Sequence, residues 1–217
     1  MVLIRNPRAR RYVLRLRPDG SARVTIPPGG SAAAARRFAE RNKVWLEQQL
    51  QRLAARPGRP KEWLIGTEIL FRGELVKVET EVYEGHGTIR FGSEVVHVSD
   101  PAVDLRPAIE GHLWRLGAKE LPPRVLECAE LHQLPVRRIT VRNQRTRWGS
   151  CSRRGTISLN WRLIQTPPFV QDYIVVHEFM HLREMNHSSR FWREVERAYP
   201  DYEAAELWLK QHSFLLN

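Results

Sequence analysis

Apolar and polar residues alternate along the first part of the chain with the two-residue period of β-strands. The alternation covers residues 12–17 and 22–26, and the Pro, Asp and Gly at 18–20 between them are typical of a turn. This pattern predicts a β-hairpin. After a break rich in Pro and Gly, Ser31 can cap one helix that runs to about Ala55 with an apolar stripe on one face.

Short apolar runs separated by glycine-containing turns predict further strands before residue 100. These runs lie at residues 69–71, 76–78, 88–91 and 95–98. The pair Asp100-Pro101 ends this strand-rich region. We therefore predict two modules, which are residues 1–100, rich in β-structure and with one helix, and residues 101–217.

Helical and strand patterns are mixed in the second module, which predicts an α+β fold. The helices are expected to begin near Asp104, Pro122 and Pro168, and the strands to lie at residues 139–141 and 156–159 on either side of a polar loop. The helix after Pro168 is apolar on nearly every side as far as residue 182. A helix of that kind is expected to be buried.

The buried helix carries the run His177-Glu178-Phe179-Met180-His181. Residues four apart lie on the same helix face, so the imidazoles of His177 and His181 can bind one Zn²⁺ ion. The carboxylate of Glu178 can act as a general base on an attacking water without binding the metal. Because unpaired polar groups are costly to bury, this setting favours a metal site over a chance occurrence of the motif.

Two kinds of residue can provide the third zinc ligand. His187 can reach the metal only if the helix ends first, and Asn186 in a left-handed conformation could turn the chain back. The alternative is a carboxylate of a later helix, from Glu203 or Glu206. The spacing favours His187, and both alternatives remain open.

Composition limits the class of protein. The chain has 217 residues, 42% of them hydrophobic, which is enough for a sizeable core. No apolar run approaches the length of a membrane span, and the first residues do not form a secretory signal. Two cysteines, Cys128 and Cys151, cannot form a disulfide framework. These features predict a cytoplasmic protein with no membrane partner.

The formal net charge is +11, and its distribution along the chain is uneven. Residues 1–61 carry a net charge of +12, which allows docking on nucleic acid. The candidate contacts are Arg15, Arg17, Arg36 and Arg37. Solvated faces of an arginine-rich protein would give the same composition, so this partner is a hypothesis. A DNA-associated protease is one function that it allows.

A second basic stretch, residues 131–170, has eight arginines and no acidic residue. Within it, Arg147 and Trp148 can line an active cleft, where the guanidinium group could bind a carboxylate or phosphate or stabilise an oxyanion. A metal-dependent nucleotide phosphohydrolase is therefore an alternative function, although the chain has no P-loop pattern. Cys151 has no companion His and Asn pattern for a nucleophilic role, and Tyr173 is interpreted as a packed aromatic residue.

Taken together, these motifs resemble those of the YgjP-like metallopeptidases, which are relatives of the WLM and SprT-like zincins. The resemblance covers about residues 104–210 and rests on ordered runs at 147–151, 155–160, 173–182, 186–188 and 191–192. It implies a zincin-like module with an HExxH helix and a small antiparallel sheet. It also implies one Zn²⁺ ion held by His177, His181 and His187, with Glu178 as the base.

The resemblance further implies a peptide or protein substrate. Zincins bind an extended peptide along a sheet edge, which places the upper rim of the cleft at residues 157–160. Substrate contacts are expected from Arg147, Trp148 and Asn160. A nucleotide substrate or a nucleic-acid partner remains possible at this stage, because the resemblance says little about specificity.

Overall fold

The computed structural model of the protein describes residues 1–17, 19–54, 62–83 and 86–216. The chain divides into two compact units, Met1–Arg59 and Pro60–Asn217. The predicted boundary at residues 100/101 differs from this division. Among the described residues, no helix has both the length and the apolar character needed to cross a membrane.

The structure contains a mixture of short strands and helices. The strands are β1 (Val2–Arg5), β2 (Val13–Leu16), β3 (Ala22–Ile26), β4 (Glu68–Phe71), β5 (Glu74–Lys77), β6 (Glu79–Tyr83), β7 (His86–Phe91), β8 (Glu94–His97), β9 (Arg138–Arg142), β10 (Gly149–Cys151) and β11 (Thr156–Asn160). The α-helices are α1 (Ala32–Arg41), α2 (Lys43–Ala54), α3 (Arg106–His132), α4 (Pro168–Met180), α5 (Ser189–Ala198) and α6 (Tyr202–His212). Two 3₁₀ helices span Trp161–Gln165 and Ser213–Leu215. The predicted α+β class is confirmed.

The first unit is a three-stranded sheet with two helices. Strands β2 and β3 form the predicted antiparallel hairpin, and β1 pairs with β3 in parallel, which the sequence analysis did not predict. Pro18 of the predicted turn lies outside the described residues. Val24 and Ile26 of the sheet and Ala35 and Ala39 of α1 form the buried core of this unit.

The single helix predicted from Ser31 to about Ala55 is instead two helices. Ser31 caps the first as expected, because its Oγ accepts a hydrogen bond from the backbone N–H of Ala34 at 3.0 Å. Asn42 separates the two helices, and its side-chain amide donates to the carbonyl of Phe38 at 2.8 Å. A side chain that bonds the preceding turn competes with the helical ladder, which accounts for the break. The predicted end near Ala55 lies outside the described residues.

Strands β4 to β8 belong to the second unit. They form a hairpin, β4-β5, and a three-stranded antiparallel sheet, β6-β7-β8. Ile69 and Phe91 from these sheets lie in the same buried core as Ile109 of α3 and Val175 of α4. This shared core explains why the compact units divide near residue 59 and not after residue 100.

Helix α3 is continuous over 27 residues, whereas the sequence pattern predicts two helices. Pro122 and Pro123 lie inside it. Each proline removes a backbone donor, so both would end a helix without tertiary support. Leu121 and Val125 flank the prolines and are both fully buried, and this packing holds the helix together across the pair.

The sheet next to α4 has the order β10-β11-β9 and is mixed. Strand β11 pairs with β9 in parallel and with β10 in antiparallel register. The predicted antiparallel pairing is therefore correct for β10 and β11 and wrong for β11 and β9. The polar loop between the two predicted strands contains the third strand, β10, and this strand lies at the sheet edge. Helix α4 contacts both β10 and β11.

Candidate metal centre

Helix α4 carries the candidate metal-binding residues near its carboxyl end. Pro168 occupies its first turn, as predicted, where the missing proline donor costs nothing. His177 and Glu178 lie in its last turn, and His181 is the residue that follows the helix. Most of the helix is buried, because it packs against α3, α5, α6 and the sheet.

The chain turns away from the helix axis directly after Met180. The backbone N–H groups of Arg183 and Glu184 both donate to the carbonyl of Met180 at 3.0 Å. The prediction that the helix ends before His187 is correct. The expected left-handed conformation at Asn186 is wrong, since the non-glycine residues with positive φ in the described part of the chain are Arg72 and Gln133. The turn at residues 181–184 makes the reversal instead.

This turn brings three imidazole groups together. One ligand nitrogen from each of His177, His181 and His187 lies within 4.8 Å of the others. Nε2 of His177 lies 3.0 Å from Nε2 of His187. Neither Glu203 nor Glu206 belongs to this cluster or to any other metal-binding group within the described residues. The three histidines can hold a metal ion.

The surroundings of His177 and His181 favour the neutral imidazole, which is the form that binds metals. Burial, followed by the neighbouring His181 and His187, lowers the pKa of His177 to about 4. Burial also lowers the pKa of His181. Nδ1 of His181 lies 3.0 Å from the carbonyl oxygen of Glu184, which only accepts, so Nδ1 carries the proton and Nε2 has a free lone pair.

Glu178 is 8% exposed and lies between the histidines and strand β10. Burial raises the pKa of its carboxyl group to about 7, while the charge of Arg147 and the backbone N–H of Cys151 act in the opposite direction. A Cβ atom at Gly149 would lie 2.5 Å from Cγ of Glu178, so the strand can approach only because residue 149 is glycine. No sequence pattern predicts this contact, although Gly149 is part of the run that carries the family resemblance.

A cavity of about 940 Å³ opens over the histidines and Glu178. Arg147 and Trp148, two of the three residues expected to contact substrate, line it. Asn160 does not. It is 2% exposed, and its side-chain amide donates to the carbonyls of Gln144 and Arg147 at 2.7 and 3.1 Å. Asn160 therefore supports the loop that presents Arg147 and Trp148.

The two cysteines are free. Cys128 is buried in α3, as expected for a core residue. Cys151 lines the cavity, but burial and the nearby charge of Glu178 raise the pKa of its thiol to about 11. A thiol with that pKa stays protonated at neutral pH, which argues against a nucleophilic role.

Comparisons with solved structures find partial similarities, among them two metallopeptidase zymogens. The abylysin metallopeptidase zymogen of Pyrococcus abyssi is 25% identical, with a TM-score of 0.37, and the match covers 42% of this chain and 90% of that one. The jannalysin metallopeptidase zymogen of Methanocaldococcus jannaschii is 21% identical, with a TM-score of 0.38, and the match covers 42% of this chain and 95% of that one. A comparison with curated proteins finds no match.

A family model gives a far more extensive match. The model described as "YgjP-like, metallopeptidase domain" matches residues 10–212, which is nearly the whole chain. The match includes every residue of the histidine cluster and of the cavity wall except Ser213. The chain therefore belongs to the YgjP-like family and contains its metallopeptidase domain.

Proposed function

We propose that the protein is a zinc-dependent peptidase with a zincin-like active site. His177, His181 and His187 hold one Zn²⁺ ion, and Glu178 is the general base. The observation that carries this proposal is the cluster of three imidazole nitrogens within 4.8 Å of one another, next to a buried carboxylate. Three protein ligands leave one position of a tetrahedral zinc ion for water or substrate, which is typical of catalytic zinc sites.

The donor set fits zinc. Nitrogen ligands at about 2.0–2.1 Å from a tetrahedral zinc ion lie about 3.3 Å from each other. The separation of 3.0 Å between Nε2 of His177 and Nε2 of His187 is close to that value. A cation between these two nitrogens could accept a lone pair from each ring, which supports a metal ion at this point.

Different residues of the chain have different roles in the proposed peptide hydrolysis. His177, His181 and His187 would hold the zinc ion, which would supply Lewis acidity for the carbonyl group and for the attacking water. Glu178 accepts the proton of that water and transfers it to the departing amine. The backbone N–H of Cys151 orients the carboxylate, and Gly149 allows it to lie against the strand.

The edge of strand β10 is the favoured place for an extended peptide. The rim was expected at residues 157–160, but these belong to β11, which has a partner strand on each side. Trp148 and Ser152 use their backbone groups to pair with β11. Because pairing alternates along an antiparallel strand, the backbone groups of Gly149 face away from β11, toward the side where a substrate could add.

The charged groups of the cavity do not by themselves distinguish a peptide from a nucleotide substrate. Three carboxylates line the cavity, from Glu178, Glu203 and Glu206, against two cationic side chains, Arg147 and Lys210. A bound Zn²⁺ ion would offset two of these negative charges, and the cavity walls would then supply one guanidinium group and one ammonium group for a polyphosphate, beside the three carboxylates. The nucleotide phosphohydrolase hypothesis has less support than peptide hydrolysis because the chain belongs to a metallopeptidase family.

Metal analysis combined with two parallel assays tests the proposed function. The purified protein is expected to contain one Zn²⁺ ion, to cleave unfolded casein, and to leave nucleoside triphosphates intact. Removal of the metal with a chelator should abolish cleavage, and added Zn²⁺ should restore it. Hydrolysis of triphosphates without cleavage of casein would favour the phosphohydrolase, and a protein that binds no metal would exclude both.

We also propose that the first unit docks the peptidase on nucleic acid. Within its described residues, no arginine or lysine forms an ion pair with a carboxylate, although the chain forms several such pairs elsewhere. Arg15 and Arg23 are direct partners across β2 and β3. Like charges placed opposite each other are destabilising, and a phosphate backbone would relieve their repulsion.

The named arginines are available for such contacts. Arg15 and Arg17 are exposed on and beside strand β2, and Arg36 and Arg37 are exposed on α1. Contacts of this kind go to phosphates, so they position a protein on nucleic acid without reading its sequence. The partner is therefore expected to be bound with little dependence on sequence.

The salt dependence of binding to a random DNA duplex tests this docking. Each phosphate contact lowers the logarithm of the association constant by about 0.9 per decade of salt. The double variant Arg36→Gln/Arg37→Gln is expected to bind more weakly and to reduce the slope by up to about 2.

The matched control, Arg115→Gln/Lys119→Gln, removes the same charge from exposed positions on α3 and should leave the slope unchanged. The absence of binding at low salt would show that the arginines are only solvated. An equal loss of binding affinity and of salt slope in the control variant would mean that net charge, rather than this surface, attracts the duplex.

A further inference from the structure

Tyr173 connects one of the clustered histidines to a carboxylate on another helix. It lies one turn before His177 on α4 and is 2% exposed. Its hydroxyl oxygen is 3.2 Å from Nδ1 of His177 and 2.9 Å from Oε1 of Glu206 on α6. The three groups form a continuous chain from the metal-binding cluster to α6.

The number of protons available determines the direction of these hydrogen bonds. An ionised carboxylate only accepts, so the single hydroxyl proton of Tyr173 is donated to Glu206. The hydroxyl oxygen can then bond His177 only as an acceptor, which requires the proton of a neutral His177 to be on Nδ1. Nε2 of His177 is thereby left with a free lone pair, and this is the atom that lies 3.0 Å from His187.

Aromatic packing holds the phenol ring in place. The ring of Tyr202 stacks on that of Tyr173 with centroids 6.4 Å apart and an angle of 29° between the planes. Tyr199 packs nearby at 6.3 Å. A ring that is buried and packed in this way keeps its hydroxyl group in one direction, so the hydrogen bond to Nδ1 is preorganised.

We propose that Tyr173 and Glu206 are positioning residues that select the tautomer and the orientation in which His177 binds the metal. This inference rests on the proposed function, because it assumes that Nε2 of His177 is a zinc ligand. It also gives Glu206 a different role from the direct ligand considered in the sequence analysis. Groups that hydrogen-bond the second nitrogen of a metal-binding histidine orient the ring and increase its strength as a ligand.

Zinc affinity measured by competition with a chromophoric chelator provides the first test, using the full chain. Tyr173→Phe removes only the hydroxyl group and is expected to weaken zinc binding by about 10–100-fold. Glu206→Gln keeps an acceptor oxygen but loses the charge, so a smaller loss is expected. Glu206 is exposed, and this variant should fold normally.

Tyr199→Phe is the matched control. The hydroxyl group of Tyr199 donates to the carbonyl of Phe169 at 2.9 Å, and the residue belongs to the same aromatic cluster. Its loss should leave zinc affinity within about twofold of the wild type, since no hydrogen bond to His177 is removed. Equal losses in Tyr173→Phe and Tyr199→Phe would overturn the proposal in favour of a packing effect.

The double variant Tyr173→Phe/Glu206→Gln shows whether Glu206 acts on His177 through Tyr173, as a hydrogen-bond relay, or binds the metal directly. If Glu206 acts through Tyr173, the second substitution should cause no further loss once the hydroxyl group is absent. A full additional loss in the Tyr173→Phe background would show that Glu206 acts on the metal without Tyr173, which would overturn the relay.

The tautomer of His177 can be measured without any metal. Imidazole ¹⁵N chemical shifts of the metal-free protein, assigned by comparison with His177→Gln, should show the proton of His177 on Nδ1. In Tyr173→Phe the proton should shift toward Nε2. A wild-type protein with the proton on Nε2 would refute the inference even if zinc binds. A wild-type protein with the expected tautomer that binds no zinc would refute only the proposed function.

Discussion

Glu178→Gln is expected to retain the zinc content of the wild-type protein while its peptidase activity falls by about 10²–10⁴-fold. Glutamine has nearly the same shape, so it fits the narrow space beside Gly149. It cannot accept a proton from the attacking water, and the general-base step is lost. The measurements are elemental zinc per chain and kcat/KM on an unfolded protein substrate.

The control for this variant is Glu203→Gln, which removes the same charge from the wall of the same cavity. Its turnover should stay within a few-fold of the wild type, because Glu203 has no part in the proposed proton transfer. Loss of zinc from Glu178→Gln would mean that the carboxylate binds the metal. Undiminished turnover in Glu178→Gln would exclude it as the general base.

Local sequence patterns predicted the elements that depend on near neighbours. The hairpin of β2 and β3, the cap at Ser31 and the start of α4 at Pro168 each follow from a few consecutive residues. The spacing of His177 and His181 belongs to the same class, because the helical repeat alone places two residues four apart on one face. These features follow from rules that do not require knowledge of the fold.

Features that depend on distant segments could not be predicted in this way. The parallel pairing of β1 with β3 and the edge position of β10 arise from contacts that no periodicity encodes. Helix α3 continues through Pro122 and Pro123 because its flanking side chains are buried, and burial is a tertiary property that overrides local preference. The compact units divide near residue 59 and not at the predicted boundary after residue 100 for a related reason, since strands β4 to β8 complete the core of the second unit.

The candidate site likewise combines features that local sequence predicts with features that depend on distant segments. The spacing after His181 favours His187 as the third ligand and leaves Glu206 open, whereas the hydrogen bond from Tyr173 to Glu206 joins residues 33 positions apart. The contact of Gly149 with Glu178 likewise joins β10 to α4. From the sequence alone, Tyr173 is interpreted as a packed aromatic residue and Glu206 as a possible zinc ligand. Only their positions in the fold indicate that they act together on His177.

His187→Ala is expected to cause the largest loss of zinc of any single cavity substitution outside the HExxH motif. The loss should exceed the roughly 10–100-fold effect typical of residues that support a ligand, because a ligand itself is removed. His187 is exposed and lies between α4 and α5, so the substitution should leave the fold intact. Zinc affinity by chelator competition and thermal unfolding of the metal-free protein measure the two effects separately.

The order of the variants identifies the third ligand. If His187 binds the metal, zinc affinity should fall most in His187→Ala, less in Glu206→Ala and least in Glu203→Ala. This order follows from the geometry, because the imidazole lies 3.0 Å from that of His177, whereas Glu206 contacts Tyr173. If zinc affinity falls most in Glu206→Ala and zinc is retained in His187→Ala, then Glu206 of α6 is the third ligand. The carboxylate would then have to leave the tyrosine hydroxyl when the metal binds, and the tautomer of His177 would no longer be set by Tyr173.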